Sequence, residues 1–223
     1  MTISTQRGLF QILSASPDIP VIALDAASDA VPLARALAAG GLSVIEVTLR
    51  TAAALEAIRA IASEVETVVV GAGAIVEPAQ LDAAMEAGAR FAVSPGYTDR
   101  LLDAAEAREI PLLPGVASAS EALSLIERGY HLAKFLPAEA AGGVRFLSSL
   151  AAPLPQLKFC PTGGISLQSA PRYLELANVL CVGGSWMVPK DRISARDWEF
   201  VTGESRAAAV LLATPVVKDT VAS

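Results

Sequence analysis

Eight short apolar runs alternate with Ala-rich stretches of helical period, and this predicts an α/β protein built on a parallel sheet with helical crossovers. The runs are near-continuous in Val, Ile and Leu, as in strands buried on both faces. Eight such alternations in 223 residues suit a compact (β/α)8 TIM barrel. A doubly wound open sheet competes, but it would want a Gly-rich turn after the first strand, and PVIALDAASDA has none. No linker divides the chain, so residues 1–223 read as a single barrel domain.

Met1–Leu13 carries one Arg among short apolar pieces and reads as an amphipathic N-terminal helix rather than a signal peptide. The strand runs then begin near Pro20, Leu42, Thr67, Arg90, Ile110, Tyr130, Lys158 and Val179. Helical periodicity between them covers Ser28–Ala39, Ala52–Ala62, Ala79–Ala87 and Ser118–Glu127. Ser28 or Asp29 can cap the first of these, and Ser118 with Glu121 forms a capping box for the last. Gly40, Gly88 and Gly129 mark helix ends, where a left-handed residue is tolerated. A C-terminal helix over Ser194–Ala213 and a polar tail complete the chain.

The composition narrows the function. With 17 basic against 23 acidic side chains the chain is acidic, which disfavours nucleic acid as a partner. No uninterrupted apolar stretch reaches the about 18 residues of a membrane span, so no membrane association is expected. Cys160 and Cys181 both lie in apolar segments, which points to a reducing cytoplasm rather than a disulfide framework. A single His, His131, makes a closed zinc site improbable, and it falls at the start of its strand, away from the chemistry. A metal-free, cofactor-free, cytoplasmic protein is expected.

Barrel chemistry sits at the C-terminal strand ends. Lys134, one of only four lysines, stands within the apolar run HLAKFLP. Burying an ammonium is costly, and a neutral amine is the form that attacks a ketone to make a Schiff base. A lysine that snorkels to the rim or pairs with a carboxylate is the alternative. Glu46 and Arg50, four apart on the second strand, face the same way. They either close the barrel top as a salt bridge or split into a proton shuttle and a fork for a substrate carboxylate. PTGG after the seventh strand and GGSW after the eighth place Gly163, Gly164, Gly184 and Ser185 where barrels often hold phosphate.

The wording of seven ordered segments resembles the 2-keto-3-deoxy-6-phosphogluconate (KDPG) aldolase family, which includes the 4-hydroxy-2-oxoglutarate aldolases. They are IEVTLRT (45–51), VGAGAIVEP (70–78), FAVSPGYT (91–98), PLLPGVASASEA (111–122), KFLPAEAAGGV (134–144), KFCPTGGIS (158–166) and VLCVGGSWMVP (179–189). The resemblance implies a metal-independent class I lyase, usually a homotrimer, that cleaves KDPG, a 2-keto-3-deoxy sugar acid phosphate, to pyruvate and glyceraldehyde 3-phosphate. It implies Lys134 as Schiff-base lysine, Glu46 as general acid/base and Arg50 as the group on the pyruvyl carboxylate. By the same likeness Pro95 lines the pocket, Thr162 meets the sugar end, and Gly163, Gly164 and Ser185 form the phosphate cup.

Two positions depart from the family pattern. Ala74 stands where Thr is usual, and Leu136 where Phe is usual. Leu136 shares a strand face with Lys134, so both changes are expected in the substrate pocket, weakening or broadening recognition of the keto-acid half. The alternatives are a Schiff-base aldolase or oxaloacetate decarboxylase with another 2-keto acid, a phosphosugar isomerase, and a phospho-ligand binding barrel with impaired turnover.

Overall fold

The computed structural model describes residues 3–211. An N-terminal helix, α1 (Ile3–Leu13), precedes β1 (Asp18–Ile22). The chain then alternates α2 (Ala30–Ala39), β2 (Val44–Thr48), α3 (Ala54–Glu64), β3 (Val69–Gly73), α4 (Pro78–Glu86), β4 (Ala92–Val93) and α5 (Asp99–Ala107). The second half runs β5 (Leu112–Leu113), β6 (Gly115–Val116), α6 (Ala119–Glu127), β7 (Leu132–Phe135), α7 (Gly143–Leu150), β8 (Lys158–Pro161), α8 (Ala170–Leu174) and β9 (Val182–Gly184). It ends on α9 (Lys190–Ser194) and α10 (Trp198–Ala209). No helix of the described residues is long and apolar enough to cross a membrane.

All strand pairs are parallel, as the helical crossovers require. They form a six-stranded sheet in the order β5-β4-β3-β2-β1-β9 and a three-stranded sheet β6-β7-β8. The sequence predicts one continuous eight-stranded ring, and the observed sheet differs at two places. Pro114, with no N–H to give, splits the fifth run into β5 and β6. Its carbonyl still accepts from Lys134 N–H at 2.8 Å, so the 112–116 segment is hydrogen-bonded to β4 on one side and β7 on the other. Between β8 and β9 only two isolated bridges occur, Phe159 with Val179 and Thr162 with Gly183.

Two apolar layers result. One lies between the outer sheet face and the helices and holds Leu24, Leu37, Ile45, Val47 and Phe135. The inner one gathers Ile19, Val44, Phe91, Val93, Leu113 and Leu132 from successive strands, and Leu9 and Leu13 of α1 pack under it. Alternation along each strand therefore decides which residues face inward.

Several local expectations shift. The helix expected over Ser194–Ala213 is shorter: α9 ends at Ser194, Asp197 caps α10 by accepting from Phe200 N–H at 3.1 Å, and α10 ends at Ala209; residues 212–223, with the expected polar tail, lie outside the described residues. A 3-10 turn, Ala27–Asp29, replaces a capped start of α2, and the left-handed residue after α2 is Gly41 (φ 97°), not Gly40. Ser118 does cap α6, accepting from Glu121 N–H, while the Glu121 carboxylate reaches back one residue further, to Ala117 N–H at 2.7 Å. Helix α10 packs on α2, where Thr202 Oγ1 donates to the Ala36 carbonyl.

Candidate active site

The inner face changes character along the strands. Nearest α1 it is apolar, with Val44 on β2, Leu132 on β7 and Cys160 on β8. One alternation further, the same strands present Glu46, Lys134 and Thr162. Glu46 and Lys134 are separated by 88 residues and sit on non-adjacent strands, yet Lys134 Nζ donates to both Glu46 oxygens, at 3.1 and 3.2 Å. Their exposures are 4% and 5%, so both charges are out of bulk water and each depends on the other.

Chemically, one proton passed from Lys134 to Glu46 leaves an amine able to attack a carbonyl and an acid able to return the proton. Glu46 reaches this position because Gly73 offers no side chain. A β-carbon on Gly73 would overlap the Glu46 carboxylate and its Cγ. Glu46 therefore does not pair with Arg50, the arrangement the strand spacing left open. Arg50 is exposed at the end of β2, and its Nε donates to Thr48 Oγ1 at 3.0 Å.

The loop after β8 carries the glycine pair. Gly163 (φ 105°) and Gly164 (φ 79°) are both left-handed, which L side chains rarely adopt. The loop after β7 fixes them: Ala138 N–H bonds the Thr162 carbonyl at 2.8 Å and Glu139 N–H the Gly163 carbonyl at 3.1 Å. The Glu139 carboxylate is held in turn by the Tyr173 hydroxyl at 2.6 Å. Burial and the adjacent Glu139 raise the Tyr173 phenol, so it remains the donor. On the same loop Leu136 is half-buried and would lie 3.4 Å from a β-carbon at Gly163, so it belongs to this rim.

Ser185 is exposed directly after β9, while Gly184 is buried beneath the Trp186 ring. Thr162 is buried and its hydroxyl makes one long contact, 3.4 Å to the Cys160 carbonyl. Pro95 is exposed after β4. Ala74, after β3, is half-buried with φ 58°, a left-handed conformation for a residue with a β-carbon. His131 lies at the opposite end, exposed, its N–H bound to Gln6 of α1 at 3.0 Å. Among the described residues no group of three His, Cys, Asp or Glu could hold a metal ion.

Three contributors act in ways the sequence does not show: Thr48, which holds Arg50; Gly73, which seats Glu46; and the Glu139–Tyr173 pair under the glycine loop. Alternation does put Thr48 on the Glu46 face, but a strand threonine carries no signal of its own.

The family model for KDPG and KHG aldolase matches residues 10–203. The KHG/KDPG aldolase of Escherichia coli (strain K12) is 50% identical over 197 residues, 88% of this chain and 92% of that protein. A crystal structure of KDPG aldolase from Legionella pneumophila, with pyruvate captured as a covalent carbinolamine, is 46% identical. It superposes with a TM-score of 0.88, covering 90% of this chain and 97% of that one. The Zymomonas mobilis ZM4 aldolase with 3-phosphoglycerate is 44% identical with a TM-score of 0.90, covering 95% and 100%. A family match across most of the length, joined to half the residues of a curated relative, makes the chain a member of the KDPG and KHG aldolase family.

Proposed function

We propose that this chain is a class I aldolase that cleaves KDPG to pyruvate and glyceraldehyde 3-phosphate, with cleavage of 4-hydroxy-2-oxoglutarate to pyruvate and glyoxylate as a second activity. The observation that carries this reading is the buried Lys134–Glu46 pair on the inner face, among strand ends that also bear Arg50 and the Gly163–Gly164 loop. The covalent pyruvate of the Legionella enzyme and the 3-phosphoglycerate of the Zymomonas enzyme support the two halves of the substrate.

In this reading Lys134 Nζ adds to the C2 carbonyl and water leaves, giving a protonated imine. Glu46 accepts the C4 hydroxyl proton as the C3–C4 bond breaks, and the bonding pair moves toward the iminium nitrogen. Glyceraldehyde 3-phosphate departs. Glu46 then returns the proton to C3 of the enamine, and water hydrolyses the imine to pyruvate and free Lys134. Arg50 takes the substrate carboxylate, Thr162 and Pro95 flank the sugar, and Gly163, Gly164, Gly184 and Ser185 receive the phosphate. The two parallel sheets, bridged at residues 159–162 and by the 112–116 segment, support a closed (β/α)8 barrel as one domain over 1–223. A cytoplasmic homotrimer is part of the same proposal, as the family resemblance implies.

The test is pyruvate release from KDPG, its unphosphorylated analogue and 4-hydroxy-2-oxoglutarate, coupled to lactate dehydrogenase. A clear preference for KDPG supports the reading, whereas equal use of the unphosphorylated analogue contradicts the phosphate cup. Ala74→Thr/Leu136→Phe is expected to raise kcat/KM for KDPG about tenfold, the size of one regained hydrogen bond to a carboxylate. Ala74 already bears the left-handed strain at φ 58°, and the β-branch of Thr adds to it, so the same variant should melt at a lower temperature. An unchanged kcat/KM would remove Ala74 and Leu136 from substrate recognition.

A further inference from the structure

We infer that Thr48 is a positioning residue that sets the orientation of Arg50 for the substrate carboxylate; this rests on the proposed role of Arg50. Thr48 is the last residue of β2 and is only 3% exposed. Its hydroxyl stands between two groups with fixed roles. The Ile22 carbonyl at the end of β1 accepts only, at 2.7 Å, and the Arg50 Nε–H donates only, at 3.0 Å. The single hydroxyl proton therefore goes to Ile22, and a lone pair faces Arg50. No other assignment satisfies both contacts.

The consequence concerns which edge of the guanidinium remains available. Nε–H is engaged by Thr48, leaving the two terminal nitrogens as a fork for an incoming carboxylate. The backbone supports the same geometry, because Arg50 N–H bonds the Thr48 carbonyl at 2.8 Å and tightens the chain as it leaves the strand. Arg50 is itself exposed, and a long exposed side chain loses rotamer freedom on binding. The buried hydroxyl removes part of that loss beforehand. Strand β2 thus carries Glu46 against Lys134 and Thr48 as the seat on one face, and the turn that follows it carries Arg50 as the fork.

Thr48→Val keeps the branched shape and loses both hydrogen bonds, whereas Thr48→Ser keeps both. The readout is borohydride trapping of pyruvate on the intact protein, followed by mass against pyruvate concentration. Pyruvate has little beyond its carboxylate and ketone, so half-saturation reports the Arg50 contact directly. Thr48→Val should raise the half-saturating concentration about tenfold while leaving the saturated rate within about threefold, and Thr48→Ser should restore it. In an Arg50→Ala background Thr48→Val should have no further effect, because its influence passes through Arg50. An unshifted half-saturation in folded Thr48→Val, a full-sized shift persisting in Arg50→Ala, or failure of Thr48→Ser to restore would each overturn the inference. Absence of any adduct in the wild-type protein would overturn the Schiff-base reading and this inference with it, a result distinct from normal wild-type trapping with an unaffected Thr48→Val.

Discussion

Lys134→Met is expected to abolish KDPG cleavage, lowering kcat by about 10^4-fold or more, because no other nitrogen nucleophile is paired with Glu46. The same substitution should also destabilise the protein. Methionine fills the space of the lysine stem but leaves the Glu46 carboxylate, 4% exposed, without its cation. Removing one partner of a buried ion pair costs about 3–5 kcal/mol, and each 1 kcal/mol moves Tm by about 2–4 °C at this chain length. Lys134→Met/Glu46→Gln should regain most of that loss, since no buried charge then remains, while staying inactive. Turnover assays with thermal melts of the two variants check both halves. Substantial turnover by Lys134→Met would refute the catalytic role, and an unchanged Tm would refute the electrostatic account of the pair.

The second large effect lies away from the chemistry, at Asp18. This residue opens β1, is fully buried, and neither carboxylate oxygen has a hydrogen-bond partner. Burial pushes its carboxyl well above the usual range. The neighbouring Cys181 thiol is also raised, chiefly by its contact with Cys160 and by burial. For an acid whose folded value is raised, the unfolded chain ionises first. Stability is therefore highest below the unfolded value, about 4, and falls as pH rises through the folded value. Asp18→Asn should raise Tm at pH 7–8, because it removes the charge that burial disfavours while keeping the shape of the side chain. Asp18→Val, which suits a buried strand and removes the polar atoms as well, should gain more. Both gains should shrink toward pH 4, where the wild-type carboxyl is neutral. A Tm gain independent of pH would show that packing, not charge, is responsible.

The legible part of the fold came from burial. Strands covered on both faces must be apolar throughout, so each of the eight runs stood out and each contains strand residues. Less legible were the places where polar groups act through shape. PLLPGV shows a proline, but not that its missing N–H divides the strand while its carbonyl stays in the ladder to β7. The start of β1 at Asp18 ran against expectation because an unpartnered carboxylate is a poor strand opener. The break between α9 and α10 is written in Asp197, a good N-cap in front of WEF, which helical periodicity alone runs across. At the site, Lys134, Glu46 and Arg50 were identifiable as charges in apolar strands. Their pairing was not, since spacing along one strand joins Glu46 to Arg50, whereas curvature of the sheet joins it to Lys134. Gly73 shows the same limit, because nothing in its sequence context says that a carboxylate rests against it.

The most direct measurement is to incubate the intact protein with pyruvate, reduce with borohydride and map the adduct by peptide mass spectrometry. The account predicts one modification, the reduced pyruvyl adduct, on Lys134 and none on Lys158 or Lys190, whose Nζ groups are held by the Ala177 carbonyl and Asp25 outside the inner face. A folded protein that gives no adduct at saturating pyruvate, or an adduct on another lysine, would contradict it.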